Sequence, residues 1–221
     1  MDPVRIYEVT PRDGLQNEKQ IISTSNKLGL IEKLIDAGYK DIEVTSFVKP
    51  SWIPHLADAS DLCRQLPTPP KGVRYWALIP NRRGLEFSMD AGITAIATFM
   101  SASETHNRKN LNRTKRESLS NLKEVIGVAK EESLAVRSYI STVFGCPYEG
   151  SVSVSKSVQI AKALLSMGAD EIVLGDTTGM GAPNQVQAVL DAIVKAGIPL
   201  DNIALHLHDT RGTALANAYA G

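Results

Sequence analysis

DAGYKDIEV (36–44), DAGITAIAT (90–98), SMGADEIVL (166–174) and KAGIPLDNIAL (195–205) are four versions of one phrase. Each closes a helical pattern with glycine, crosses a short polar link and enters a short apolar run. Glycine after a helical pattern is a stop signal, because it takes the left-handed conformation that ends a helix at no steric cost. The apolar runs are bounded by Gly, Pro, Asp or Asn and are rich in β-branched residues, which marks strands. Repetition of this phrase is the signature of consecutive βα units with parallel strands.

Working outward, seven strands are expected at 4–9, 41–47, 73–79, 93–99, 134–144, 171–176 and 202–209. Helices are expected between them, most clearly at 25–38, 152–168 and 183–197, with the start of another at 213–221. Leu28, Ile31, Leu34 and Ile35 recur at helical spacing in the first, and Pro183 suits the first turn of the third. No linker or change of composition interrupts the series. The expectation is an α/β chain of the TIM (β/α)8-barrel type, residues 1–221 forming a single catalytic domain with about seven βα units and without strand 8 and the C-terminal segment. A doubly wound sheet is the rival, weakened by the lack of a glycine-rich dinucleotide fingerprint.

Bulk properties exclude several function classes. Lys plus Arg is 24 and Asp plus Glu is 24, so the formal charge is zero, and neither nucleic acid nor an anionic membrane is an expected partner. Two cysteines, Cys63 and Cys146, cannot make a disulfide framework. No stretch approaches the length of a membrane span, and no leader is expected before the first strand. The expected location is the cytoplasm, although a mature mitochondrial matrix protein would look the same.

In a TIM barrel the chemistry gathers at the C-terminal ends of the strands. Strand 1 runs into ThrProArgAspGly (10–14), strand 6 ends in GlyAspThrThrGly (175–179) and strand 7 in HisLeuHisAsp (206–209). His206 and His208 are two apart on a strand and share a face, so they can share a metal ion. One carboxylate would complete a two-His-one-carboxylate set, and Asp13 is the expected donor, with Asp209 instead capping the next helix. Arg12 beside it can stabilise a developing enolate, the alternative being a surface ion pair in a turn. Glu43, inside an otherwise apolar strand, is either solvent-facing or in need of a partner, for which Arg12 is the expected one. Asp176 reads as either an active-site acid or a turn former, and Cys146 as a structural thiol. The segment 101–116, with Arg108, Lys109, Arg113, Lys115 and Arg116, reads as a basic loop suited to a phosphate-bearing substrate.

EVTPRDGLQNE (8–18), IEVTSFVKP (42–50), FGCPYEG (144–150), LGDTTGMGAP (174–183) and HLHDTRGTALAN (206–217) closely resemble the hydroxymethylglutaryl-CoA lyase family, a branch of the metal-dependent TIM barrels with an Arg-Asp motif on strand 1. The resemblance implies cleavage of 3-hydroxy-3-methylglutaryl-CoA to acetyl-CoA and acetoacetate, as in leucine breakdown and ketone-body formation. It implies a divalent metal, Mg²⁺ or Mn²⁺, at Asp13, His206 and His208. It also implies catalytic roles for Arg12, Glu43, Asp176 and His206, a small-molecule acyl-CoA as partner, and a homo-oligomer. Thr10 departs from the family's glycine. The family's glycine-rich cysteine loop and the Asn ligand after strand 8 have no counterpart in these residues, so Cys146 does not take the cysteine's role. A related hydroxy-keto acid aldolase and a non-catalytic metal- or acyl-CoA-binding fragment are the alternatives.

Overall fold

The computed structural model describes residues 4–221. The chain divides into two compact units, the first ending at Ala97 and the second running Thr98–Gly221.

In the first unit, β1 (Tyr7–Glu8) leads through a wide helical turn at Thr10–Gly14 to α1 (Thr24–Asp36), β2 (Asp41–Ser46), α2 (Ala59–Gln65), β3 (Arg74–Leu78), α3 (Arg82–Asp90) and the first half of β4 (Ala95–Ser101). Neighbouring strands are parallel, with Tyr7 opposite Asp41, Ile42 opposite Tyr75 and Ala77 opposite Ile96. The helices start where side-chain oxygens can take orphan amides: Ser23 accepts from Asn26 and Asn81 from Gly84. Ile31, Ile42, Val44, Leu62, Ile79 and Leu85 are wholly buried between helices and strands.

In the second unit, β4 is followed by α4 (Glu104–Leu111), α5 (Lys115–Glu131), β5 (Ala135–Ser141), α6 (Val154–Ser166), β6 (Glu171–Asp176), α7 (Pro183–Lys195), β7 (Ile203–Leu207) and α8 (Ala214–Ala220). The end of β4 joins β5, Ala102 N–H donating to Ser141 at 3.0 Å and the Thr98 and Ser138 hydroxyls meeting at 2.6 Å. β5–β6 and β6–β7 are parallel, with Ser138 opposite Ile172 and Leu174 opposite Leu205.

The order of the strands follows the sequence, β1 to β7. This is the TIM-barrel-type succession of seven βα units that the repeated phrase announces. Its four glycines, Gly38, Gly92, Gly168 and Gly197, all have positive φ, between 78° and 109°. Strand 1 is shorter than expected. A proline at position 11 removes a ladder donor, and the chain turns off the sheet at Thr10.

One departure concerns helices. The segment 101–116 is not a loop but α4 and the beginning of α5. Ser103 caps α4 by accepting from His106 N–H, and Thr114 and Glu117 form a reciprocal capping box at α5. Buried Asn107 joins the two, accepting from Ser101 N–H and donating to the Arg113 carbonyl and the Ser118 hydroxyl. A helix of eight residues with Leu111 as its one aliphatic side chain has no hydrophobic period to read. Among the described residues, no helix is long and apolar enough to cross a membrane.

Candidate active site

In the first unit, the turn after β1 positions the Arg-Asp pair. The Val9 carbonyl accepts from Arg12 N–H at 3.1 Å and Asp13 N–H at 2.7 Å, which holds the turn together. Arg12 is buried and its Nε donates to a carboxylate oxygen of Glu43, which is fully buried. Its Nη1 donates to Asp13 Oδ1 at 2.5 Å, and Gln16 also donates to that oxygen, at 3.0 Å. The sequence expectation that Glu43 partners Arg12 is met. Fully buried ions survive only when paired and hydrogen-bonded, and this arrangement satisfies both.

β2 carries an irregularity just here: Glu43 lies opposite Trp76 but Thr45 opposite Ala77, so Val44 is the extra residue. A bulge of this kind re-aims the side chains around it and is common beside active sites. One pleat repeat below Glu43, Asp41 takes two bonds from Arg5, at 2.5 and 2.6 Å, and one from the Trp76 indole at 2.8 Å. Asp41, Arg5 and Trp76 were not singled out from the sequence. The signal was there: Asp41 and Glu43 stand at i and i+2 on one face of a buried strand, and each requires an arginine.

In the second unit, His206 belongs to β7 and His208 follows its last residue. Their Nε2 atoms lie 2.9 Å apart. The Tyr139 ring meets the His206 ring edge-on, 5.6 Å between centroids. Buried Arg137 lies over the other partner of this stack, 5.3 Å from the Tyr139 centroid, and pairs with Glu171 at 3.3 Å. Arg137 and Tyr139 alternate with apolar residues on β5, the pattern that could have flagged them.

Asp176 ends β6 and is fully buried. Its Oδ1 accepts from Met180 N–H at 2.9 Å and its Oδ2 from Gly181 N–H at 3.0 Å. The carboxylate therefore ties down the loop 177–181. Gly179 in that loop has φ +61°, and a Cβ there would stand 2.8 Å from the His208 carbonyl. The loop must be this close to the histidine pair, and only glycine allows it. Asp209 accepts from Ala214 N–H at 2.9 Å, the capping role expected of it. Cys146 is buried in a tight loop, its Sγ donating to Ser103 and receiving the Tyr148 and Glu149 amides at 3.4 Å, which fits the structural reading. Of the basic residues at 101–116, Arg108 pairs with Glu104 at 2.9 Å and Lys109 lies 4.2 Å from the Tyr148 ring centroid.

The histidine pair fits a divalent cation by its chemistry. Two imidazole nitrogens 2.9 Å apart on one strand end would be close enough to be donors to a single ion. Two imidazoles and a carboxylate suit Mn²⁺ and related ions.

Parallel βα units with arginine, carboxylates and paired imidazoles at the strands' C-terminal ends define a TIM-barrel-type enzyme with a candidate metal site. Comparison with known proteins makes this specific. The chain belongs to the HMGL-like family, whose pattern it matches over residues 3–221. It is 51% identical over 214 residues to hydroxymethylglutaryl-CoA lyase YngG of Bacillus subtilis, covering 97% of this chain and 71% of that one. It is 46% identical to the cytoplasmic 3-hydroxy-3-methylglutaryl-CoA lyase of Mus musculus, covering 97% of this chain and 62% of that one. The crystal structure of the B. subtilis HMG-CoA lyase superposes with a TM-score of 0.95 over 98% of this chain and 72% of that one. Relatives include proteins named as cytoplasmic and as mitochondrial.

Proposed function

We propose that this chain acts as a carbon–carbon lyase on 3-hydroxy-3-methylglutaryl-CoA, giving acetyl-CoA and acetoacetate. The observation that carries the reading is Arg12, a buried guanidinium held by Glu43 and Asp13 at the end of β1. Family membership and the names of the close relatives support the substrate.

In this reading Asp13, His206 and His208 hold a divalent ion, Mg²⁺ or Mn²⁺. When bound, such an ion lowers the pKa of a hydroxyl that coordinates it. The 3-hydroxyl loses its proton, the C2–C3 bond breaks, and its electron pair passes into the thioester as an enolate, which then takes up a proton to become acetyl-CoA. Arg12, already desolvated and fixed by two carboxylates, offers its charge to the enolate oxygen without reorganising. Glu43 holds Arg12. His206, if bound to the ion through one ring nitrogen, carries its proton on the other and so can hold but not deprotonate the hydroxyl, whose proton passes to another base. Asp176 acts by fixing the loop beside the histidines.

Association of copies of the chain belongs to the same proposal. A cytoplasmic or mitochondrial matrix location is supported by the relatives' names. A coupled assay for acetoacetate tests the reading. Turnover is expected with 3-hydroxy-3-methylglutaryl-CoA and not with a CoA-free hydroxy-keto acid. The reverse preference points to an aldolase, and no turnover on either overturns the activity.

A further inference from the structure

The loop 177–181 is held from two sides. Asp176 takes its Met180 and Gly181 amides, and α8 holds the other side. Asn217, fully buried on that helix, donates from Nδ2 to the Gly181 carbonyl at 3.0 Å, and the Thr213 hydroxyl donates to the same oxygen at 3.2 Å. Gly181 is thus gripped at both backbone groups, its N–H by a carboxylate and its carbonyl by a carboxamide. A Cβ there would stand 2.9 Å from Asp176 Oδ2 and 3.3 Å from Asn217 Nδ2, so the two side chains close on a residue that must lack one.

From Gly181 the contacts lead to the histidines. The Asp176 carbonyl accepts from Gly179 N–H at 3.2 Å and from His208 N–H at 3.4 Å. Gly179 faces the backbone of 208–210, where a Cβ would stand 3.0 Å from Thr210 N. Asp209 caps α8, which returns the chain to Asn217. His208, α8, Gly181 and Asp176 therefore form a closed ring of covalent and hydrogen-bonded links.

Asn217 is a poor stabiliser. Its Oδ1 is buried with no hydrogen-bond partner among the described residues. Reversing the carboxamide does not help, because it sets that oxygen against the Gly181 carbonyl. A buried unpaired acceptor costs stability, and leucine, with a similar branched outline and no polar atoms, avoids the cost. What Asn217 supplies instead is a fixed direction for the Gly181 carbonyl, and so a fixed seat for the loop against His208.

We propose that Asn217 is a positioning residue of the metal site, holding His208 through Gly181 and Asp176 so that its ring and that of His206 meet one ion; this rests on the reading of the two histidines as metal donors. Groups that orient a ligand from behind govern metal affinity without touching the ion.

Titration calorimetry with Mn²⁺, beside urea unfolding of the metal-free chain, tests the proposal. Asn217→Leu should weaken Mn²⁺ by about 10-fold or more, with the urea midpoint unchanged or raised. A lowered midpoint with unchanged Mn²⁺ affinity would make Asn217 merely structural and overturn the proposal. Asn217→Ala and Thr213→Val each remove one donor to the Gly181 carbonyl without adding bulk. Both should weaken Mn²⁺ at a temperature where the chain is fully folded, Thr213→Val by less. In the metal-free protein, the His208 ring signals in ¹H–¹⁵N spectra should shift in the Asn217 variants. Leu215→Ser, at an exposed position of the same helix, should leave affinity and spectra as they were. Loss of affinity in that control assigns the effect to α8 as a whole and overturns the proposal. Unchanged Mn²⁺ affinity in all three variants removes the role of Asn217 and leaves the metal donors standing, whereas no Mn²⁺ binding by the unaltered chain removes both.

Discussion

Arg12 illustrates how a single residue can be held for chemistry. Its guanidinium is nearly out of water, yet two carboxylates and the turn at 10–14 fix it in place. Arg12→Gln keeps donors near Glu43 but removes the charge. The expected result is a fall in kcat of about 100-fold, as for loss of one electrostatic stabiliser, with metal binding retained. A rise in KM alone would mean that Arg12 serves uniform binding. His106 provides a residue-scale prediction of another kind. Its Nδ1 is buried without a hydrogen-bond partner, and burial pushes its pKa below the usual imidazole value. The unfolded chain therefore binds a proton at higher pH than the folded one. The folded state loses stability as pH falls from about 6.5 toward the lowered value. His106→Gln should flatten that part of the stability–pH curve, which urea unfolding at several pH values would reveal. An unchanged slope would assign it to other groups.

At the level of elements, the loop between β6 and α7 depends on Asp176. Asp176→Ala leaves the Met180 and Gly181 amides without their acceptor. Each unpaired buried amide costs about 1–3 kcal/mol, so a drop of that order in unfolding free energy is expected, with reduced order at 177–181 in hydrogen exchange. Asp176→Asn keeps one acceptor and should lose less. If Asp176→Ala kept full stability and lost activity alone, the carboxylate would be acting on substrate and not on the loop. The elements also show what a sequence can disclose. The strands and the helices α1, α6 and α7 were legible because apolar period and terminal glycine agreed, whereas α5, the longest, closes on Ser133 and not on glycine. α4 was not, because its order comes from Ser103, Asn107 and the capping box at Thr114, polar contacts that have no period. The site was legible where spacing dictates geometry, as in the two histidines, and where an ion sits in an apolar strand, as in Glu43. It was not legible for Arg137 and Tyr139, whose roles depend on which neighbours β6 and β7 bring alongside, nor for Arg5, which meets Asp41 across 36 positions of sequence.

For the whole molecule, net charge is balanced at 24 against 24, so no long-range field draws a ligand, and recognition must be local. The proposed metal ion is the local charge with the widest consequence. Asp13, His206 and His208 come from distant parts of the sequence, and an unfolded chain does not keep them together. An ion that binds only the folded state stabilises it by about 2.7 kcal/mol at a concentration of 100 times Kd. For a chain of this size, 1 kcal/mol moves Tm by roughly 2–4 °C, so saturating Mn²⁺ should raise Tm by about 5–10 °C over the chelator-treated protein. His208→Ala removes one donor of the 2.9 Å nitrogen pair and should abolish both the Tm increase and the Mn²⁺ signal in titration calorimetry. A Tm increase of the same size in the variant would show that Mn²⁺ binds elsewhere on the chain, and no increase in the unaltered protein would remove the metal from the proposed site altogether.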